Sequence, residues 1–392
     1  MKNKKYELVA PAGDVASFIA AYKAGADAIY FGLKEFNMRY NAENFSLKDL
    51  EEIQKYPVKK YLTLNTIIFD NELKRIENII KKVKNKIDAI ICWDFAVINL
   101  CKKYNIPFHI STQASVANSE ATKFYKKLGA KRIVLARELN LKQIKKISKI
   151  IEIECFIHGA MCISESGRCF TSQFLHGKSA NRGQCLQPCR REYKVIDEQG
   201  NELKLKNNFV MSAKDLCTLP FFEKLKKAGI KAFKIEGRNR DIDYVDTVVR
   251  VYREAIDKNL DEKRKLELMK ELEKVYNRKF SSGFYLGLPT ADDFTNIKGS
   301  NTSQTKKIIG RIENYLTNKK VAIIKLFSDK LQLGDEILIE GRKTGLVRLK
   351  ITSMQQNKKD INNVKKGEIF AILCEEKVRK NDSVFKIIDK NR

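Results

Sequence analysis

The chain has 392 residues, 43% of them hydrophobic and 32% charged, enough for one large core with a satellite or for two to three ordinary domains; fibrous, mucin-like and wholly disordered classes are excluded. No run approaches 18 apolar residues and the first residues lack an apolar signal core, so a cytoplasmic protein without a membrane span is expected. Seventy-six Lys and Arg against 48 Asp and Glu give a net charge of +28, which favours nucleic acid or an anionic substrate, although a Lys-, Asn- and Ile-rich composition alone produces such an excess.

Residues 6–10 read as a short buried strand, 11–14 as a turn that starts a helix, 15–24 as a helix of small and apolar residues, and 28–32 as the next strand. Strands follow over 60–66, 89–92, 108–111, 132–135 and 153–157, with helices near 46–56, 71–86, 94–103, 118–128 and 140–148. This alternation predicts parallel β/α architecture. No GxGxxG turn is present, so a (β/α)8 TIM-type barrel over 1–290 is favoured over a doubly wound sheet. Gly32, Asn65, Thr66, Asp94, Ser111, Arg137, Glu138 and His158 fall just past strand ends, which in a barrel is the active rim.

A cysteine-rich loop over 158–192 breaks the rhythm. A strand over 209–211, a helix capped by Ser212 and a strand over 232–235 resume it, which makes nine candidates where a barrel needs eight. Residues 241–279 read as helical and heavily charged, and 291–305 as a linker. Short strands over 308–312, 320–324, 336–339, 344–351 and 369–373 predict a small C-terminal β-barrel domain over 306–392. From 301 onward, 21 Lys and Arg against 11 Asp and Glu suit an RNA-contacting module or an ordinary basic surface.

Of nine cysteines, five fall between 155 and 189, and four make the pattern Cys162-x6-Cys169-x15-Cys185-x3-Cys189. Four soft thiolates suit a [4Fe–4S] cluster or zinc; buried or thiol-chemistry cysteines are the third reading. Cys217 is a reserve ligand or a small apolar residue. His158 and Cys162 form a second candidate, a thiol–imidazole pair, that excludes metal binding by Cys162. The segment Lys234-Ile235-Glu236-Gly237-Arg238-Asn239-Arg240 places Glu236, Arg238 and Arg240 at the rim, and Lys214 with Asp215 adds a further pair. His158, Lys214, Asp215 and Glu236 are therefore the candidate catalytic residues.

Several blocks occur in order: Glu7-Leu8-Val9-Ala10-Pro11-Ala12-Gly13, Gly25-Ala26-Asp27-Ala28-Ile29-Tyr30-Phe31-Gly32, His158-Gly159-Ala160-Met161-Cys162 with Ser166-Gly167-Arg168-Cys169, and Lys234-Ile235-Glu236-Gly237-Arg238. Together they resemble the peptidase U32 family over about residues 6–290, and the tail is similar to that family's small C-terminal β-barrel. The resemblance implies two activities. One is collagenase-like proteolysis. The other belongs to members that hydroxylate RNA or ubiquinone and carry an oxygen-sensitive [4Fe–4S] cluster, whose ligands here would be Cys162, Cys169, Cys185 and Cys189. The block from Gly183 to Arg191 resembles the tRNA-acting type. The resemblance thus implies prephenate-dependent C5 hydroxylation of a tRNA wobble uridine. Arg168, Arg190, Lys214, Arg238 and Arg240 would hold the dicarboxylate, tRNA would be the partner, and the electron donor is unknown. The expected function is iron–sulfur-dependent RNA hydroxylation, with a U32-type peptidase and a nonenzymatic RNA-binding protein as alternatives, and zinc as the second choice of metal. A homodimer is the base-rate expectation.

Overall fold

A computed structural model describes residues 5–165, 168–202 and 208–390. Eight parallel strands close a barrel: β1 (Glu7–Pro11), β2 (Ala28–Gly32), β3 (Lys59–Thr63), β4 (Ala89–Cys92), β5 (Phe108–Ile110), β6 (Arg132–Val134), β7 (Ile153–Gly159) and, as the last, β9 (Ala232–Ile235). Closure is made by β9, which pairs in parallel with β7 on one side and β1 on the other. The intervening strand β8 (Asp215–Cys217) stands outside the ring. It runs antiparallel to β7, with His158 opposite Cys217, and carries the two-residue β10 (Phe280–Ser281) on its other side. Pairing with β6 covers only Ile153 and Glu154 of the seven-residue β7, so the far end of that side is free for β8.

The ninth strand candidate, over 209–211, is a turn closed by the Ser212 N–H on the Phe209 carbonyl, and Ser212 caps no helix. Three apolar residues in a row do not distinguish a strand from a buried turn.

Strands β1 to β6 are each followed by a helix that packs on the barrel, while β7 leads into the cysteine-rich segment before β8 and the helix Phe222–Lys227. The helix α1 (Val15–Lys23) starts at a capping box in which Asp14 Oδ1 accepts from Ser17 N–H at 2.6 Å. Its residues Val15–Ala21 are all buried because two surfaces enclose it. One is the barrel; the other is the C-terminal sheet, whose Leu338 and Leu346 pack on Ala20. A Cβ on Gly345 would come within 3.0 Å of the Ala20 backbone nitrogen, hence the small residues on both sides. After β9 comes the longest helix, α9 (Ile242–Asp257).

The C-terminal strands do not form the closed barrel expected from the sequence. They make an open eight-stranded antiparallel sheet in which β15 (Gly345–Lys350) and β17 (Lys359–Asp360) are the unpaired ends, plus a two-stranded ribbon of β13 (Lys330–Gln332) and β18 (Asn363–Lys365). Closure would require the end strands to pair. Instead β15 turns Gly345 and Leu346 onto α1, and β17 is only two residues long. Alternating apolar residues predict strands but not which edges meet. A second core, including Ile309, Ile324, Ile337, Ile339 and Phe370, lies beneath this sheet. Lys306, at the start of the 13-residue strand β11 (Gln304–Leu316), reaches Glu340 at 2.8 Å and Asp243 of α9 at 3.2 Å, tying sheet to barrel.

The barrel interior is charged. Residues facing outward, such as Leu8, Ile29, Leu62, Ile90 and Phe233, join the main apolar core, whereas Ala28, Ala89 and Ala232 face inward with Val9, Tyr30, Tyr61 and Ile91. The small inward alanines leave room for long polar side chains. Arg132 Nη1 contacts Glu7 at 2.6 Å and Glu154 at 3.0 Å, and Lys234 Nζ meets Glu154 at 2.5 Å. Glu154 and Lys234 are almost completely buried. Burial pushes the carboxyl of Glu154 up, but Lys234 and Arg132 outweigh it and hold the group below its ordinary value.

Removing one member of such a set strands the others without compensation. Glu154→Gln is expected to lower unfolding free energy by about 3–5 kcal/mol, measured by urea denaturation at neutral pH. Because the folded-state pKa of Glu154 is depressed, its stabilisation is present above the unfolded value and is lost as pH falls through the folded one. The difference between wild type and Glu154→Gln should therefore shrink on acidification. An unchanged midpoint at neutral pH would show that the interior charges are dispensable.

Candidate active site

The carboxyl ends of the strands open into a cavity of about 170 Å³. Tyr30, Phe156 and Lys234 form its floor, Met38 and Arg39 of the loop after β2 one wall, and residues 160–164 and 169–190 much of its cover. Lys234 Nζ lies 4.0 Å from the Tyr30 ring centroid, so the interior ion pairs reach this floor.

Glu236 is the one acidic residue lining the cavity among the described residues. Its Oε1 accepts from Arg39 Nε at 3.2 Å and Nη2 at 3.0 Å, and Tyr30 Oη lies 3.5 Å from Oε2. Burial raises its pKa, but Arg39, Arg137 and Arg238 together hold it below the carboxylate range, so it is ionised at neutral pH. The phenol of Tyr30, pushed well up by burial and by Glu236, stays protonated and donates to the Ile235 carbonyl at 2.9 Å.

The other expected catalytic residues lie away from the cavity lining. His158 is 1% exposed, within 6.0 Å of the Tyr244, Tyr252 and Phe280 rings, and its Nδ1 is 3.4 Å from Tyr252 Oη. Burial, helped by Arg240, drives its pKa down to about 3, so the ring is neutral. Lys214 donates its N–H to the Asp293 carbonyl, and buried Asp215 faces Arg278 at 3.5 Å. Of the expected anion-binding arginines, Arg190 and Arg238 line the cavity, whereas Arg168 and Arg240 do not. Arg168 donates to the Gln113 carbonyl beside Trp93, and Arg240 stacks 3.5 Å from the Tyr276 ring centroid.

Arg238 acts as a strut. Its Nη1 donates to Thr63 Oγ1 at 3.0 Å and its Nη2 to Asn37 at 2.9 Å and Asn44 at 2.6 Å, pinning the loop that carries Arg39. A Cβ on Gly32 would sit 2.3 Å from Arg238 Nη2, and one on Gly159, which also holds a φ of +106°, 2.4 Å from the Glu236 carbonyl. The glycines of separate sequence blocks thus make room for one segment, 236–238.

Cys162, Cys169, Cys185 and Cys189 all line the cavity, and Cys217 does not. The four do not constitute a ligand set. Among the described residues no three His, Cys, Asp or Glu side chains are grouped to hold a metal ion. The thiols are engaged locally instead. Cys169 Sγ lies 3.2 Å from Thr171 Oγ1 and accepts from the Thr171 N–H at 3.4 Å, and Cys185 Sγ accepts from the Gln187 N–H at 3.4 Å. Burial raises the Cys169 pKa, but hydrogen bonds from Thr171, Ser164 and the Ser172 backbone outweigh it and leave the thiol below its ordinary value. Cys189 goes the other way, pushed up by burial. Cys217, beside Tyr252 Oη at 3.6 Å, is buried and raised to about 11.

Arg39, Arg137 and Tyr30 are cavity groups whose roles the sequence patterns did not single out. Arg39 sits in an irregular polar loop with no motif, and Tyr30 in a strand where an aromatic residue reads as core. Only the rim position of Arg137 was a usable signal.

Gly32→Ala is expected to displace the Arg238 guanidinium and cost about 1–3 kcal/mol of stability, as overpacking does, read from urea midpoints. Gly177→Ala, at an exposed helix end with no atom within 4 Å of its Cβ, is the comparison, with strain only from its φ of +63°. A Gly32→Ala protein as stable as wild type would show that the strut is free to move.

The family model for "Peptidase family U32" matches residues 13–295. A protein of Methanocaldococcus jannaschii named as an uncharacterized protease is 42% identical, covering 97% of each chain. A protein of Porphyromonas gingivalis named collagenase is 38% identical, covering 98% of this chain and 99% of its own. A protein of Bacillus subtilis named tRNA hydroxylation protein P1 is 35% identical, covering 85% and 83%. These findings correct the leading expectation. The lack of any metal-holding group among the described residues overturns the [4Fe–4S] cluster and the alternative zinc site, and with them the cluster-dependent, prephenate-consuming hydroxylation of a wobble uridine. The relatives matched over nearly their whole length at 42% and 38% identity carry protease names, so an RNA hydroxylase is the weaker reading. The chain belongs to the peptidase U32 family.

Proposed function

We propose that the protein is a U32-type peptidase that hydrolyses peptide bonds in the rim cavity. Its relatives' names support this reading, and the observation that carries it is Cys169, a cavity-lining thiol whose pKa is lowered by its hydrogen bonds. A depressed thiol pKa supplies the thiolate that attacks a carbonyl at neutral pH. The Cys169 thiolate attacks the scissile carbonyl carbon, the C–N bond breaks as the amine takes a proton from solvent water, and hydrolysis of the thioester by a second hydroxide or water releases the carboxylic acid and restores the thiolate. Glu236, ionised and fixed by Arg39, orients the polar wall opposite. His158, enclosed by aromatic rings, shapes the end of β7.

Cleavage of gelatin, casein and fluorogenic peptides by protein purified in reductant tests this. Cys169→Ser should reduce the rate about a hundredfold or more, while Cys217→Ser, outside the cavity, leaves it unchanged. The rate should rise with pH as the thiolate forms and level off below the ordinary thiol value. Activity that survives Cys169→Ser, or no cleavage of any of these substrates, would overturn the reading.

Two finer points belong with this proposal. Nine cysteines without a disulfide support a reducing compartment, the cytoplasm, which recovery from a membrane or extracellular fraction would contradict. No helix among the described residues is long and apolar enough to cross a membrane. The +28 charge and the tRNA named for one relative support RNA as a bound partner, held through phosphates. Retention of tRNA that does not weaken between about 50 and 200 mM salt would count against that mode.

A further inference from the structure

The charged groups lining the cavity are Arg39, Arg137, Arg190, Lys234, Arg238 and a single acid, Glu236. Two of these cations are matched: Arg39 by Glu236, and Lys234 by Glu154 beneath the floor. The remaining three feel Glu236 or Asp215 only at longer range and, among the described residues, hydrogen-bond neutral acceptors alone. Arg238 is shared among Thr63, Asn37 and Asn44, and its buried Nε has no hydrogen-bond partner among the described residues. Arg190 donates to the Ser212 hydroxyl and to the carbonyls of Ala213 and Met161, while nearby Asp215 pairs with Arg278. Arg137 donates to the Ala160 carbonyl at 2.7 Å, lies 3.9 Å from the Phe156 ring centroid, and contacts no carboxylate among the described residues.

Crowding of guanidinium groups in a partly water-excluded space is unfavourable unless an anion enters. The depressed pKa values of Arg190 and Arg238, due first to burial, agree with that deficit. Arg137 is the best placed to meet an anion. Stacking on Phe156 fixes its plane, Nη1 is used by the Ala160 carbonyl and the Met161 sulfur, and the other nitrogens have no hydrogen-bond partner among the described residues, leaving them to engage a planar carboxylate.

We infer that the cavity seats a carboxylate of the peptide substrate on Arg137, so the enzyme selects peptides that present an acidic side chain or a free C-terminus at the cleavage site. This rests on the peptidase reading for its substrate, though not for its electrostatics. Both sources offer the same planar anion, and neutral isosteres separate them.

The test is isothermal titration of acetyl-Ala-Glu-amide against acetyl-Ala-Gln-amide, and of acetyl-Ala-Ala against its C-terminal amide, with cleavage of matched longer peptides followed in parallel. At least one acid should bind about tenfold or more tighter than its neutral partner, the scale of one charge-assisted bidentate contact. The pair showing the difference names the source. Arg137→Gln should erase the discrimination, and Arg137→Lys, which keeps the charge and loses the fork, should retain part of it. Equal affinity within both pairs for the wild-type protein would overturn the inference without reference to any variant. So would discrimination that persists unchanged in folded Arg137→Gln. Charge-selective binding without cleavage would uphold this site and sink the peptidase reading. Cleavage indifferent to charge would do the reverse.

Discussion

The chain of ion pairs along the barrel axis is the constraint on which the site depends. Glu7, Arg132, Glu154 and Lys234 come from four different strands, β1, β6, β7 and β9, and each pairs with the next. An apolar filling would have packed this interior with less desolvation, since buried ion pairs seldom add net stability over well-packed hydrophobic residues. What the charges add is register. Glu154 meets Arg132 and Lys234 only if β7 sits correctly between β6 and β9, the two neighbours across which the ring closes. A one-residue slip would turn these side chains outward into the apolar layer of Phe233 and Ile133. Lys234 then passes the constraint upward, for its ammonium lies against Tyr30, whose hydroxyl fixes Ile235 beside Glu236.

Above that floor the separate sequence blocks become one object. The Cβ positions of Gly13, Gly32 and Gly159 are all blocked by atoms of residues 236–238, while Asn37 and Asn44 take the guanidinium of Arg238. Close approach of these backbones is possible only without side chains. In exchange, the irregular loop after β2 is clamped and Arg39 is delivered to Glu236. The loop is long and has no regular structure of its own, so its geometry rests on the strut and not on local propensity.

Much of the barrel was readable because short apolar strands such as 6–10 and 28–32 alternate with helices along the chain, whereas which side chains face inward was not, since Val9, Ala28 and Ile91 inside are as apolar as Leu8 and Ile29 outside. The rim positions of Glu236 and Arg238 followed from lying just past a strand. The remainder was illegible for identifiable reasons. The strand at Asp215–Cys217 pairs with β7 because β6 is short, a fact about a neighbour 80 residues away. Openness of the C-terminal sheet depends on what covers β15, namely α1, nearly the whole chain distant. The cysteine spacing suggested convergence, yet the directions of the thiols are decided by local partners such as Thr171 and Gln187.

Those partners also explain how one cavity can hold two thiols of opposite character, Cys169 and Cys189. A thiol is made acidic by donors aimed at sulfur and made inert by burial without them. Cys169 lies just before the short helix Thr171–His176, where unpaired N–H groups are available, and Thr171 and Ser164 add hydroxyls. Cys189, in the turn Pro188–Arg190, is more enclosed and feels the other three thiols as further obstacles to ionisation, with only Arg190 opposing. Arg190 is itself held by carbonyls and crowded by Arg278, with Asp215 opposing. The same excess of positive charge, with Arg190 and Arg137 in no ion pair among the described residues, therefore favours any negative charge that develops among the cysteines. A thiolate at Cys169 and an anionic substrate group at Arg137 draw on one field, set by the arginines of the rim and by the single carboxylate that partly answers them.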